Sequence, residues 1–121
     1  MAVDPHLVTN HLPANSMWQI EVFLRFTPGA GAFKWDIIEP SGASYDVLVH
    51  KTGAGVEVQM KDDDDAPHAH TATSGTEGIY IVGTMFVVAA GSWAIHWAQN
   101  SSNGATTTLN KASWAKLTRI N

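Results

Sequence analysis

Cysteine is absent from this chain of 121 residues, so disulfides and thiolate chemistry are both excluded and stability has to come from packing. No apolar run approaches the roughly 18 residues of a membrane-spanning helix. The opening Met1-Ala2-Val3-Asp4-Pro5-His6 lacks the basic stretch and apolar core of a Sec-type signal, and the expectation is a chain made and kept in solution, away from the membrane. Positive charge is scarce. Seven Lys+Arg stand against eleven Asp+Glu, for a net charge of −4, and no clustered basic face is available to release counterions from a phosphate backbone, which argues against nucleic acid as a partner. Helical periodicity is missing too: no window of about ten residues shows a 3.6-residue period with caps.

What the chain has is a two-residue rhythm. From Met17 to Phe26, the residues Trp18, Ile20, Val22, Leu24 and Phe26 alternate with Gln19, Glu21, Phe23 and Arg25, the pattern of a strand with one oily and one wet face. Phe33, Trp35 and Ile37 repeat it, as do Tyr45, Val47 and Val49, then Val56, Val58 and Met60, then Trp93, Ile95 and Trp97, and a closing strand over Trp114–Ile120. The nearly continuous apolar run Ile79–Val88 reads as a central strand covered on both faces, kinked or bulged at Gly83. Turn signals separate these segments: Pro28-Gly29, Pro40-Ser41-Gly42, Gly53-Ala54-Gly55 and Asn103-Gly104.

The fold class expected is therefore all-β, an antiparallel β-sandwich or jelly roll of about eight strands. Residues 1–15 read as an extended N-terminal arm with at most a short strand at Leu7–Thr9. Residues 16–121 form a single domain, with an acidic loop over 61–78 that contributes nothing to the core. A chain of this length buries roughly two thirds of the surface its unfolded form exposes. Five Trp, each able to bury roughly 150 to 250 Å² in a core or an interface, are a heavy aromatic load for so short a chain, and some are expected to face a neighbouring subunit.

Few residues offer chemistry. Asp62-Asp63-Asp64-Asp65 supplies hard oxygens for Ca²⁺, but without the spacing, Gly and terminal Glu of an EF-hand; the alternative is a solvated acidic loop that favours solubility. His68 and His70 share a face in an extended segment, so three copies around an axis would present six imidazoles to one metal ion; the alternative is an ordinary loop. Trp93 and Trp97 on one strand face could stack on a sugar or pack in the core, and His96 opposite them reads as a rim histidine. Phe23, alone among polar neighbours, is the candidate for a subunit or partner contact. Asp36, Glu39, Asp46 and Glu57 sit where solvated carboxylates are the default. No nucleophile with a base and no paired-carboxylate frame is visible, so the chain is not expected to be an enzyme.

Three segments carry a family resemblance: Asp4-Pro5-His6-Leu7; Leu12-Pro13-Ala14-Asn15 with the strand after it; and Trp97-Ala98-Gln99-Asn100 through Thr106-Thr107-Thr108 to Ala112-Ser113-Trp114-Ala115-Lys116-Leu117. Together with the turn Glu39-Pro40-Ser41-Gly42-Ala43, they resemble a β-rich module of tailed-phage virion proteins, particularly from phages of actinobacteria. The resemblance implies a jelly roll of the tumour-necrosis-factor and C1q type, usually trimeric, without catalytic residues. It implies a virion structural protein made in the host cytoplasm. The expected role is an accessory capsid decoration protein on the capsid exterior, with a minor tail or fibre protein or a host-surface glycan-binding module as alternatives. The partners implied are two further copies of the chain, the major capsid protein or tail proteins, and in the last alternative a host-surface glycan. Axial His-x-His metal sites occur in trimeric phage fibres, so the resemblance also bears on His68 and His70. The chain departs from the family pattern in its short start at Asp4-Pro5, which leaves a sheet edge for a neighbouring subunit to complete, and in its acidic, His-containing loop.

Overall fold

The alternation around Trp18 to Phe26 becomes one long strand, and the other rhythmic segments line up beside it or face it. In a computed structural model describing residues 2–27, 33–51, 57–62, 68–70, 77–98 and 108–121, the chain forms ten strands. They are β1 (Ala2–Leu12), β2 (Ser16–Thr27), β3 (Phe33–Ile38), β4 (Ser44–Lys51), β5 (Glu57–Asp62), β6 (His68–His70), β7 (Glu77–Val87), β8 (Gly91–Ala98), β9 (Thr108–Leu109) and β10 (Trp114–Arg119). There is no helix among the described residues. A four-stranded sheet has the order β1-β8-β3-β6. A six-stranded sheet has the order β10-β2-β7-β4-β5, with β9 paired to the end of β2. Every pairing is antiparallel, and four of them nest: β1 with β8, β2 with β7, β3 with β6 and β4 with β5.

The inward residues of both sheets meet in one core. Ile20, Val22, Leu24 and Phe26 of β2, Tyr45, Val47 and Val49 of β4, and Ile79, Ile81, Met85 and Val87 of β7 come from the larger sheet. Leu12, Phe33, Trp35, Ile37, Trp93 and Ile95 come from the smaller. Each such side chain contributes about 1.5–3 kcal/mol by leaving water, and aromatic contacts tie the sheets together: Phe26 of β2 stacks on Phe33 of β3 with ring centroids 4.2 Å apart.

Four expectations need correction. The first concerns residues 1–15, which are more than an arm: β1 runs from Ala2 to Leu12 along β8. Its register jumps between Val3 and Val8 and again between Thr9 and Leu12. Pro5 lies within the first jump, as a residue without an N–H requires, and His11 takes a left-handed φ of 64° within the second. These irregularities break the two-residue period, which is why the sequence shows so little of the strand.

The second correction is to the segment 61–78, which does reach the core. β6 places His68 there at 1% exposure, and Glu77 at the start of β7 is equally hidden at 2%. The third is at Gly83, where no bulge occurs: the ladders to β2 and β4 run through it unbroken. Finally, β7 is central but is not covered on both faces within the chain, since Thr84 and Phe86 on its outer side are exposed. The turns around Pro28 to Gly31, Gly53 to Val56 and Asn100 to Thr107, and Asp63 to Pro67 of the acidic run, lie outside the described residues.

Candidate interaction surface

Two of the residues singled out for chemistry are held in the core. Trp93 is 1% exposed, so it offers a ligand no stacking surface. Trp97 packs partly buried against the core, with its ring 6.0 Å from that of Phe33. His68 lies against Trp35 at 4.2 Å between ring centroids. Its Nε2 is 2.9 Å from the hydroxyl of Tyr45, a hydrogen bond that crosses from the smaller sheet to the larger. A metal ion on that nitrogen would have to displace a buried contact between the sheets. The backbone of His70 pairs with Phe33, and its side chain lies outside the described residues. Among the described residues, no group of three or more His, Cys, Asp or Glu side chains is placed to hold a metal ion.

Phe23 leads to a different surface. Its neighbours Val22 and Leu24 are fully buried and Phe23 is half-buried, so it points away from the core on the outer face of the six-stranded sheet. Directly opposite it stand Trp114 on β10 and Tyr80 on β7, and His50 follows on β4. The result is a row of rings across four strands. Tyr80 donates to Glu21 Oε2 at 3.3 Å; burial, then the charge of Glu21, push its hydroxyl above the ordinary tyrosine range.

At the far end of the same face lies a second, more apolar row. Met17 pairs with Phe86, and the N–H of Ile120 donates to the Met17 carbonyl. The three side chains are 38%, 40% and 53% exposed, and Val88 just beyond β7 is 49% exposed. Large apolar groups gathered on one solvent face mark a contact surface better than the same groups scattered singly. The sequence hid this row because Met17, Phe86 and Ile120 are about seventy and thirty residues apart along the chain, and only the strand register brings them side by side.

The outer face of the smaller sheet carries one unusual carboxylate. Asp36 on β3 stands opposite His96 on β8, and its Oδ1 is buried without a hydrogen-bond partner. Burial raises its pKa above the ordinary 3.8, outweighing a backbone N–H from Ile37 and the nearby His96, which act the other way. The folded state therefore holds the Asp36 proton more tightly than the unfolded chain does. Stability is accordingly lost, not gained, as pH rises from the ordinary carboxylate range through the raised value. Asp36→Asn is expected to raise the melting temperature near neutral pH and to leave it little changed in acid; thermal melts across that range check it, and a variant less stable at neutral pH contradicts the assignment.

Comparison with protein-family models, with curated proteins and with solved structures finds no match to this chain. What the described residues present is a two-sheet core and, on one outer sheet face, two rows of large, partly exposed side chains.

Proposed function

We propose that this protein is an accessory structural component of a tailed-phage virion, a jelly roll that assembles as a homotrimer and decorates the capsid exterior. The jelly-roll reading is supported by the nested pairing of first with eighth, second with seventh, third with sixth and fourth with fifth strand, the winding expected when one long hairpin is rolled into two facing sheets. The virion reading rests on the resemblance of the segments around Leu12-Pro13 and Ala112-Ser113-Trp114 to phage virion modules. The observation that carries the assembly reading is the exposed row Ile120, Met17 and Phe86 on the outer face of the larger sheet. Covering it in a subunit contact recovers roughly 25 cal/mol per Å² before the cost of association is subtracted. The role is mechanical, with no catalytic step.

Mixing the purified protein with capsids that lack their surface proteins tests the function. Saturable co-sedimentation, and the presence of the chain in the proteome of purified particles, are expected; a particle proteome without it contradicts the proposal. Phe86→Ser removes an exposed apolar side chain and is expected to weaken self-association by about tenfold or more while moving the monomer's unfolding midpoint little. Equal assembly of the variant in sedimentation would show that this row is not part of the contact.

A further inference from the structure

Five of the six large apolar side chains exposed among the described residues gather at one end of the sandwich. Met17, Phe86 and Ile120 flank that end on the larger sheet, Val88 lies at its tip, and Ile38, opposite Ala94, flanks it on the smaller sheet. Trp114, the sixth, is at the far end of β10. Three turns meet there. The Asn15 N–H donates to the Val88 carbonyl at 3.4 Å; a Cβ on Gly42 would lie 3.8 Å from the Val88 Cβ, and one on Gly91 would lie 2.9 Å from the Pro40 Cβ. The segments that build this end, residues 12–18, 40–45, 84–95 and 120–121, contain no Lys, Arg, Asp or Glu. Charge begins at the rim, with half-buried Glu39, exposed Asp46 and exposed Arg119, whose Nε donates to the Asn121 carbonyl oxygen at 2.7 Å.

An uncharged apolar centre inside a polar rim is the anatomy of a protein contact, and two features make the occupant a second copy of this chain. In a closed ring the residues nearest the axis meet their own counterparts, so a charge there would meet its like; the tip, Val88-Ala89-Ala90, carries none. A ring contact is also heterologous, joining one flank of each copy to the other flank of the next, and both flanks of this end expose apolar side chains. A two-fold pairing of the Met17, Phe86 and Ile120 row on itself would leave Ile38 in water. We infer that three copies meet end-on, with the Val88–Ala90 turn at the symmetry axis and the Met17, Phe86 and Ile120 flank of one copy packed against Ile38 of the next. This inference rests on the self-assembly reading above and specifies its geometry. The strands then run outward from the axis, and the row of Trp114, Phe23, Tyr80 and His50 stands at the periphery, outside the contact.

The chain has no cysteine, so a single introduced thiol reports which parts of neighbouring copies approach one another. Ala89 and Ala112 are both exposed, the first at the tip and the second in the turn before β10 at the opposite end. A short bismaleimide linker is expected to join Ala89→Cys chains in pairs within the assembly, with the third thiol left over, and to leave Ala112→Cys chains unlinked. In sedimentation velocity on the full chain, Ile38→Asp is expected to weaken assembly by about tenfold or more while the monomer's unfolding midpoint stays nearly unchanged. An assembled protein in which Ala89→Cys does not link, in which Ala112→Cys links as readily, or in which Ile38→Asp assembles like the wild type overturns the end-on contact while leaving the oligomer standing. A wild type that stays monomeric at every concentration removes the self-assembly reading itself.

Discussion

Lys51→Met is expected to cost about 3–5 kcal/mol, the penalty for breaking a buried ion pair by removing one partner. Lys51 ends β4 on the inward side, Glu77 begins β7, and their side chains are 1% and 0% exposed with Nζ 3.7 Å from Oε1. At that separation the pair attracts without a direct hydrogen bond, so its net contribution to stability is small even though each charge depends heavily on the other. Taking away the ammonium removes that attraction from a carboxylate that stays buried.

The double variant Lys51→Met with Glu77→Leu replaces both charges by apolar groups and is expected to return to within about 1 kcal/mol of the wild type or to exceed it. Urea unfolding of the three chains reads the effect. A single variant as stable as the wild type would contradict the dependence of the buried Glu77 carboxylate on Lys51.

Gly83→Ala is expected to cost about 3 kcal/mol through overpacking of backbone against backbone. In an ordinary strand the same change removes a flexible residue and stabilises by about 0.5–1 kcal/mol, so the sign alone decides. A Cβ at Gly83 would fall onto the Asp46 carbonyl oxygen and lie 2.6 Å from the Val47 Cα. Both are backbone atoms of β4 that no rotamer change can move. Relieving the clash means prying β4 from β7 in the middle of the larger sheet, where Val47 faces Gly83 in register. The unfolding midpoint is expected to drop with an unchanged denaturant slope. A Gly83→Ala chain at least as stable as the parent would contradict the close approach.

The strands of this protein are legible where the rhythm is long. Trp18 to Phe26 alternates over nine residues and forms the central part of β2; Phe33, Trp35 and Ile37 form the inward side of β3. His68 was not legible, because a three-residue strand is too short to show any period. Lys51 and Glu77 are different, since each extends a visible alternation: Tyr45, Val47, Val49 and then Lys51; Glu77, then Ile79 and Ile81. The pattern points both inward, and the expectation that charged residues lie on wet faces concealed it.

Phe23 is placed on an outer face by its own neighbours. The rest of that surface depends on which strands sit side by side, and a single sequence does not encode strand order or register in any local signal. Gly83 makes the same point at atomic scale. Its position within an apolar run suggested a kink, whereas the reason for glycine there is the β4 backbone, more than thirty residues away along the chain.

Size-exclusion chromatography with light scattering tests self-assembly, the claim on which the functional account depends, most directly. Three chains of 13.0 kDa predict a species of about 39 kDa that dissociates on dilution. A single species of 13.0 kDa at every concentration would mean that the exposed rows on the outer face of the larger sheet do not join copies of this chain, and would contradict the proposed function.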